Sequence, residues 1–190
     1  MHTDFPEDPV PTLPTILFSA FQSGADPQRQ SWARFREQLS TRSPSTATAR
    51  ASGLHGRPPA PAPVATSGHD ESGIWRLLAP NNRELGRSSF LYGTFSAARE
   101  HVLQLRGSDG LVVTTVPGPL AEVFGWFVSF RGTPVMTCTR WYGSAAASME
   151  AGRAALAAFG LAVVGDAPLR ATSSGRRTTR APRPGTTAAW

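Results

Sequence analysis

The sequence of 190 residues contains no lysine, so all 19 of its basic side chains belong to arginine. The formal net charge of +6 and the isoelectric point near 11.1 favour an acidic partner such as nucleic acid. A chain that uses only arginine and is rich in alanine, glycine and proline is also typical of a GC-rich genome. Codon usage therefore explains part of the basicity, and composition alone does not identify the partner.

The basic charge is concentrated toward the C-terminus. Residues 1–71 hold 6 arginines against 7 acidic residues, residues 72–165 hold 8 against 5, and residues 166–190 hold 5 against 1. No dense basic run falls within the middle segment, where the apolar residues of the chain are concentrated.

Cysteine and long apolar runs are also scarce. The single Cys138 excludes an intrachain disulfide and a multi-cysteine metal site. The best candidate for a spanning segment, Ala151–Val164, contains Arg153 and is shorter than the roughly 20 residues of a transmembrane helix. Met1–Pro11 is acidic and proline-rich, unlike a signal peptide. We therefore expect a cytoplasmic protein with no membrane partner.

The motifs that usually carry chemistry are missing. There is no Gly-x-Ser-x-Gly elbow, no phosphate-binding Gly-Lys-Ser/Thr loop and no set of histidines and cysteines at zinc-binding spacing. His101 is predicted to be a partly exposed helix residue, and Cys138 a structural thiol. We therefore expect no enzymatic activity, no catalytic residue, no cofactor and no metal.

The ends of the chain are predicted to be disordered arms, because they bury too little apolar surface to offset the entropy of ordering. These arms are residues 1–71 and 167–190. In the first arm, Thr15–Phe21 is a short apolar patch. Asp26 and Pro27 then resemble a helix start, and the spacing of the apolar residues predicts a short helix over 27–39. This helix either packs on the core or docks on a partner protein.

The core is predicted over residues 72–166, and its first unit over 73–116 has the order β-β-β-α-β. Its three initial strands are Ile74–Ala79, Glu84–Ser88 and Phe90–Tyr92. Thr94 is a candidate helix N-cap, and Leu111–Val116 is a β-branched closing strand.

A second unit over residues 124–164 repeats the first at a fixed offset of 50 residues. The matched positions are turn, cap and stop residues: Tyr92 with Tyr142, Thr94 with Ser144, Asn82 with Gly132, Leu85 with Val135 and Gly110 with Gly160. We interpret the core as a tandem duplication with an α+β fold. Two helices packed on one shared antiparallel sheet would bury the apolar faces of both units.

The stretch Gly73–Asn82, followed by Tyr92 and the helix opening at Thr94, resembles the YegP-like family of small uncharacterised bacterial proteins. The resemblance covers about Gly73–Val164. It implies two β-β-β-α-β units that share one sheet and exchange their closing strands, as a monomer or a homodimer. It implies no activity and no functional residue. This chain departs from the family pattern at Asn82, which replaces the turn glycine.

Arginines near the predicted strands are candidates for an anion-binding face of the core. They are Arg76, Arg87, Arg131 and Arg140. Aromatic residues of the strands, such as Trp75 and Trp126, either form a platform for nucleic-acid bases or cover the sheet beneath the helices. In the C-terminal arm, the candidate nucleic-acid contacts are Arg176, Arg177, Arg180 and Arg183.

Two functions remain open at the level of the sequence. The first is a non-enzymatic interaction module with disordered arms and an unidentified protein partner. The alternative is a nucleic-acid-associated protein that uses the arginine-bearing sheet face and the basic C-terminal arm.

Overall fold

A computed structural model describes residues 13–40 and 72–170 of the chain. These residues form an α+β fold, as the sequence predicts. The elements are β1 (Thr15–Ala20), α1 (Pro27–Ser40), β2 (Gly73–Leu78), β3 (Glu84–Ser88), α2 (Phe95–Arg106), β4 (Leu111–Pro117), β5 (Phe124–Phe130), β6 (Thr133–Thr137), α3 (Ala145–Leu161) and β7 (Val163–Arg170).

The strands form one seven-stranded sheet in the order β4-β5-β6-β3-β2-β1-β7. Neighbouring strands are antiparallel except β1 and β7, which are parallel. The expectation of a purely antiparallel sheet was therefore wrong. The reason is β1, which lies between β2 and β7.

Strand β1 lies in residues 1–71, which were predicted to form a disordered N-terminal arm. Its side chains alternate between the core and a more open face, with Ile16 and Phe18 fully buried. This alternation is that of a strand with one core-facing side. At the other end, β7 continues to Arg170, beyond the expected core boundary at residue 166. The sheet thus extends further in both directions than the sequence indicated. Residues 1–12, 41–71 and 171–190 of the two arms lie outside the described residues.

The third strand predicted in each unit is reduced to a single bridge. Tyr92 exchanges backbone hydrogen bonds of 2.9 Å with Gly73, and Tyr142 exchanges bonds of 2.8 Å with Phe124. The segments at 90–92 and 140–142 are therefore connections that pass the start of a strand.

The predicted helix starts and turns have the expected backbone conformations. The hydroxyls of Thr94 and Ser144 accept hydrogen bonds from backbone amides three residues on, at 3.2 and 3.1 Å, and so cap α2 and α3. Asn82 and Gly132 adopt φ values of 61° and 79°, the left-handed region that a tight turn requires.

The two faces of the sheet contact different helices. On one face Phe18 packs edge-on against Phe95 of α2, and Trp75 lies 5.4 Å from Phe159 of α3 between ring centroids. Because successive strand residues point to opposite faces, the neighbour of Trp75, Ile74, lies on the other face. There it packs with Trp32 of α1. The helix predicted over 27–39 therefore packs on the core.

Helix α3 approaches the sheet closely at Gly152, one of three small residues among the four buried positions of the helix. A Cβ atom added at Gly152 would lie 2.5 Å from Val113 Cγ1 and 3.1 Å from Trp126 Cγ. Only glycine allows this contact, since real Cβ atoms do not approach other heavy atoms so closely. The Ala- and Gly-rich sequence of α3 thus determines the distance between the helix and β4–β5.

Candidate functional site

A β-bulge in β3 brings three charged side chains onto one face of the sheet. Arg76 lies opposite Arg87, and two residues further along β2, Leu78 lies opposite Glu84, so that Leu85 is the extra residue. An extra residue reverses the alternation of side chains beyond it. Glu84 therefore points to the same side as the two arginines.

The carboxylate of Glu84 bridges the two arginines. Its Oε2 accepts hydrogen bonds from Nε and Nη2 of Arg76 at 2.8 and 2.5 Å, and its Oε1 accepts one from Nε of Arg87 at 2.7 Å. The side chain of Glu84 is 12% exposed, against 29% for Arg76 and 24% for Arg87. One partly buried negative charge is thus shared by two positive charges that are more exposed to solvent.

The excess positive charge faces an open cleft of about 490 Å³, the arginine cleft. Its lining residues are Ser19, Phe21, Pro27, Gln28, Ser31, Ile74, Arg76, Glu84 and Arg87. The remaining guanidinium N–H groups of the two arginines have no hydrogen-bond partner among the described residues. Guanidinium N–H groups can only donate, so the cleft offers donors to an acceptor of negative charge.

The first turn of α1 forms one side of the arginine cleft but is already capped. Asp26 Oδ1 accepts a hydrogen bond from the amide of Gln28 at 2.8 Å, and its Oδ2 accepts one from the amide of Gln22 at 3.2 Å. The carboxylate of Asp26 thus offsets the positive end of the helix. The positive character of the cleft therefore comes from its two arginines.

The four arginines predicted to form an anionic-ligand face do not converge. Arg76 and Arg87 meet at Glu84, but Arg131 lies in the β5–β6 turn, with its guanidinium 5.1 Å from the ring centroid of Phe130. Arg140 stacks in the same way on Tyr142, also at 5.1 Å. The arginines predicted as tail contacts, Arg176, Arg177, Arg180 and Arg183, lie outside the described residues.

The tryptophans of the core strands are inside the protein. Trp75 and Trp126 are both fully buried. Each donates a hydrogen bond through its indole Nε1 to a tyrosine hydroxyl, to Tyr92 at 3.2 Å and to Tyr142 at 3.4 Å. These two indoles cover the sheet beneath the helices, so they provide no stacking platform for nucleic-acid bases.

His101 is 8% exposed, so its prediction as a partly exposed residue was wrong. Its Nδ1 lies 2.7 Å from the hydroxyl of Tyr92. Because the indole of Trp75 can only donate, Tyr92 accepts from Trp75 and has its own proton for His101. Burial lowers the pKa of His101. A sequence signal was present, since His101 lies on the helix face of Ala98 and Leu105.

The other groups with reactive side chains are also held inside the core. Burial raises the pKa of Cys138 to about 11, and hydrogen bonds from the backbone oppose the shift only in part. One of these bonds comes from the amide of Trp126 at 3.3 Å. Burial likewise raises the pKa of Tyr92, against the opposing effect of the hydrogen bond from Trp75. These groups are neutral near pH 7 and form part of the packed interior.

Within residues 13–40 and 72–170, no three residues of the histidine, cysteine, aspartate and glutamate types are grouped so that they could hold a metal ion. None of the helices in the same ranges is both long and apolar enough to span a membrane.

Comparison of the chain with models of protein families, with curated proteins and with solved structures finds no match. The resemblance to the YegP-like family thus stays a prediction.

Proposed function

We propose that this protein is a non-enzymatic interaction module and that the arginine cleft binds an acidic segment of a partner protein. The observation that carries the proposal is the sharing of Glu84 by Arg76 and Arg87. This sharing fixes both guanidinium groups, and their other N–H groups have no hydrogen-bond partner among the described residues. Carboxylates of aspartate and glutamate are well matched to such groups, because they accept bidentate hydrogen bonds from arginine.

The setting of the arginine cleft supports a peptide rather than a lone ion. Besides the two arginines, the residues that line the cleft are in part apolar and largely buried, such as Phe21 and Ile74, and in part polar, such as Ser19 and Ser31. A peptide can supply both carboxylates and apolar side chains to such a mixed surface. His101 and Cys138 are engaged in the core, which fits a role in binding rather than in chemistry.

We further infer that the core arose by tandem duplication, as the sequence repeat indicates. Two features beyond the repeat itself support this inference. The extra bulge residues, Leu85 in β3 and Val135 in β6, are 50 positions apart. The hydrogen bonds from tryptophan to tyrosine also recur, from Trp75 in the first unit and Trp126 in the second. Strands β4 and β7 would then be the closing strands of the two units, with β1 added beside β7.

The binding of acidic peptides to the full-length chain tests the proposed function. A fluorescein-labelled ten-residue peptide rich in glutamate is titrated by anisotropy at low salt. A peptide of the same length with glutamine in place of glutamate serves as the neutral control. We expect Arg87→Gln to weaken binding of the acidic peptide about fivefold or more, because hydrogen bonds between charged groups are among the stronger ones.

The hairpin that carries the arginine cleft offers a matched control. Arg83→Gln removes the same charge from the exposed β2–β3 turn, outside the cleft. We expect it to change the affinity by less than about twofold, as is typical of screened surface charges. Equal effects of Arg83→Gln and Arg87→Gln would contradict the proposal. Tighter binding of a single-stranded oligonucleotide, lost on removal of residues 171–190, would favour the nucleic-acid alternative.

A further inference from the structure

A second concavity lies at the other end of α1, between its C-terminal half and strands β5 and β6. This pocket of about 170 Å³ has a largely apolar wall formed by Leu39, Phe127 and Pro134. Its position corresponds to that of the arginine cleft in the first hairpin, because Phe127 pairs with Thr137 in β5–β6 as Arg76 pairs with Arg87 in β2–β3. The equivalent surfaces thus differ in chemistry, charged in one hairpin and apolar in the other. We call this concavity the Leu39 pocket.

Ser89, one of the residues that line the Leu39 pocket, has a buried hydroxyl without a partner. Ser89 is 4% exposed, and its Oγ has no hydrogen-bond partner among the described residues. The residue itself is fixed, because its amide donates a hydrogen bond of 3.0 Å to the carbonyl of Val135. A buried hydroxyl without a partner is unfavourable. The hydroxyl oxygen has less than 1 Å² of accessible surface, so the Ser89 side chain would rotate toward an acceptor bound in the pocket, and the new hydrogen bond would remove this cost.

A cation borders the same pocket. Arg36 is an exposed residue one turn after Trp32 on α1, and its guanidinium lies 5.4 Å from the ring centroid of Trp32. Among the described residues Arg36 forms no ion pair. Stacking on an indole uses the face of the guanidinium and leaves its N–H edge available for a carboxylate.

We propose that the Leu39 pocket binds a small monocarboxylate with an apolar body about the size of benzoate. The apolar body would lie against Leu39, Phe127 and Pro134, and the carboxylate would accept hydrogen bonds from Arg36 and Ser89. Both polar groups can donate, and Arg36 can only donate, so they suit an acceptor of negative charge. The size follows from the volume, because an apolar cavity of about 150 Å³ is enough to admit benzene.

Titration with benzoate, followed by ¹H–¹⁵N NMR of the full-length chain, tests this proposal. A ligand of nine non-hydrogen atoms in such a pocket is expected to bind with a Kd of about 1 mM. We expect saturable shifts at the amides of Leu39, Ser89 and Phe127, and none at Arg76 or Arg87. Benzamide has the same shape without the charge and should bind about tenfold more weakly.

Three variants separate the contributions. Arg36→Gln should weaken benzoate binding about tenfold, and Ser89→Ala about threefold, because each removes one donor to the carboxylate. Ser89→Ala also removes the unpartnered hydroxyl, so the variant should fold at least as stably as the native chain. Arg34→Gln removes an exposed charge of the same helix that does not border the pocket and should leave the affinity unchanged.

The following results would overturn the proposal. One is the absence of saturable shifts up to about 20 mM benzoate, roughly twenty times the expected Kd, which would mean that the pocket holds water alone. The other is an equal loss of affinity in Arg36→Gln and Arg34→Gln, which would reduce the interaction to general charge attraction. Neither result bears on the arginine cleft, because that proposal is tested with a peptide and with other residues.

Discussion

At the scale of single residues, the hydrogen-bond chain from Trp75 through Tyr92 to His101 connects β2 to α2. The Trp75 indole donates to Tyr92, whose hydroxyl can donate its own proton to an unprotonated Nδ1 of His101. The neutral imidazole then has its proton on Nε2.

The burial of His101 predicts that the protein loses stability in mild acid. The folded state lowers the pKa of His101 below its ordinary value of 6.5. In the unfolded chain His101 takes up a proton as the pH falls through 6.5, while in the folded state it stays neutral until a lower pH. The unfolded state therefore binds more protons in this window, and the free energy of unfolding decreases as the pH falls below 6.5. Urea unfolding at pH 7.5 and at lower pH values measures the effect.

His101→Asn provides the control for the acid effect. The amide oxygen of asparagine can accept a hydrogen bond from Tyr92, and the side chain does not titrate. We expect the variant to retain less dependence on pH between 7.5 and 5 than the native chain. An identical slope for the two proteins would show that other groups cause the loss of stability.

The residues of the two candidate sites illustrate what a sequence can predict at this scale. Arg76 and Arg87 could be nominated, because their places on adjacent strands of a hairpin follow from the turn at Asn82. The role of Glu84 could not, since it depends on the bulge at Leu85, which reverses the face of every residue beyond it. Arg36 and Ser89 are 53 positions apart, and no local pattern brings them to one pocket.

At the scale of elements, α3 shows how one helix uses glycine in two ways. Gly152 contacts Val113 and Trp126 so closely that no side chain fits, whereas a Cβ at Gly160 would meet nothing within 4 Å. The two glycines lie in the same helix, Gly152 in its middle with close neighbours and Gly160 in its last turn with open space around it. A pair of identical substitutions therefore separates packing from helix propensity.

We expect Gly152→Ala to destabilise the protein by about 1–3 kcal/mol, because an overpacked contact forces the helix away from the sheet. Gly160→Ala should instead stabilise it by about 0.5–1 kcal/mol, because alanine is the better helix former at an open position. Urea denaturation monitored by tryptophan fluorescence gives both values. A destabilised Gly160→Ala, or an unchanged Gly152→Ala, would contradict the close packing of α3.

Most elements were predictable because local signals agree with the tertiary structure. The turns at Asn82 and Gly132 indicated the two hairpins, and the caps at Thr94 and Ser144 indicated the starts of α2 and α3. The failures came from short segments whose state depends on distant partners. The residues before Gly93 and Gly143 read as strands but form only one bridge each. Strand β1 could be recognised as apolar but could not be assigned to a sheet before its neighbours were known.

At the scale of the whole molecule, β1 joins the two ends of the described fold. It pairs with β2 over six residues and with β7 over five, so both of its edges are hydrogen-bonded. Its buried residues Ile16 and Phe18 belong to the main core cluster. Because β1 lies between β2 and β7, these two strands do not pair with each other. No pairing between them compensates for the loss of β1.

We expect removal of residues 1–22 to prevent stable folding, whereas removal of residues 1–12 leaves the sheet intact. Burial of Ile16 and Phe18 alone contributes about 3–6 kcal/mol, a large share of the 5–15 kcal/mol that stabilises a typical domain. Loss of β1 also exposes the edges of β2 and β7, which promotes association between chains. Circular dichroism and size-exclusion chromatography of the two truncated proteins compare them directly. A monomeric, cooperatively folding 23–190 chain would show that β1 is dispensable.

The placement of β1 has a consequence for the order in which the chain folds. Thr15 pairs with Val163, so the sheet is completed only by residues 148 positions apart along the chain. The loop-closure entropy of such a contact is large, and contacts of this kind slow folding. When β1 to β6 have left the ribosome, β7 has not yet been released. The edge of β1 that pairs with β7 is therefore unpaired during synthesis. The native sheet can therefore close only after the last strand has been made, and its first strand is among the last to be locked in place.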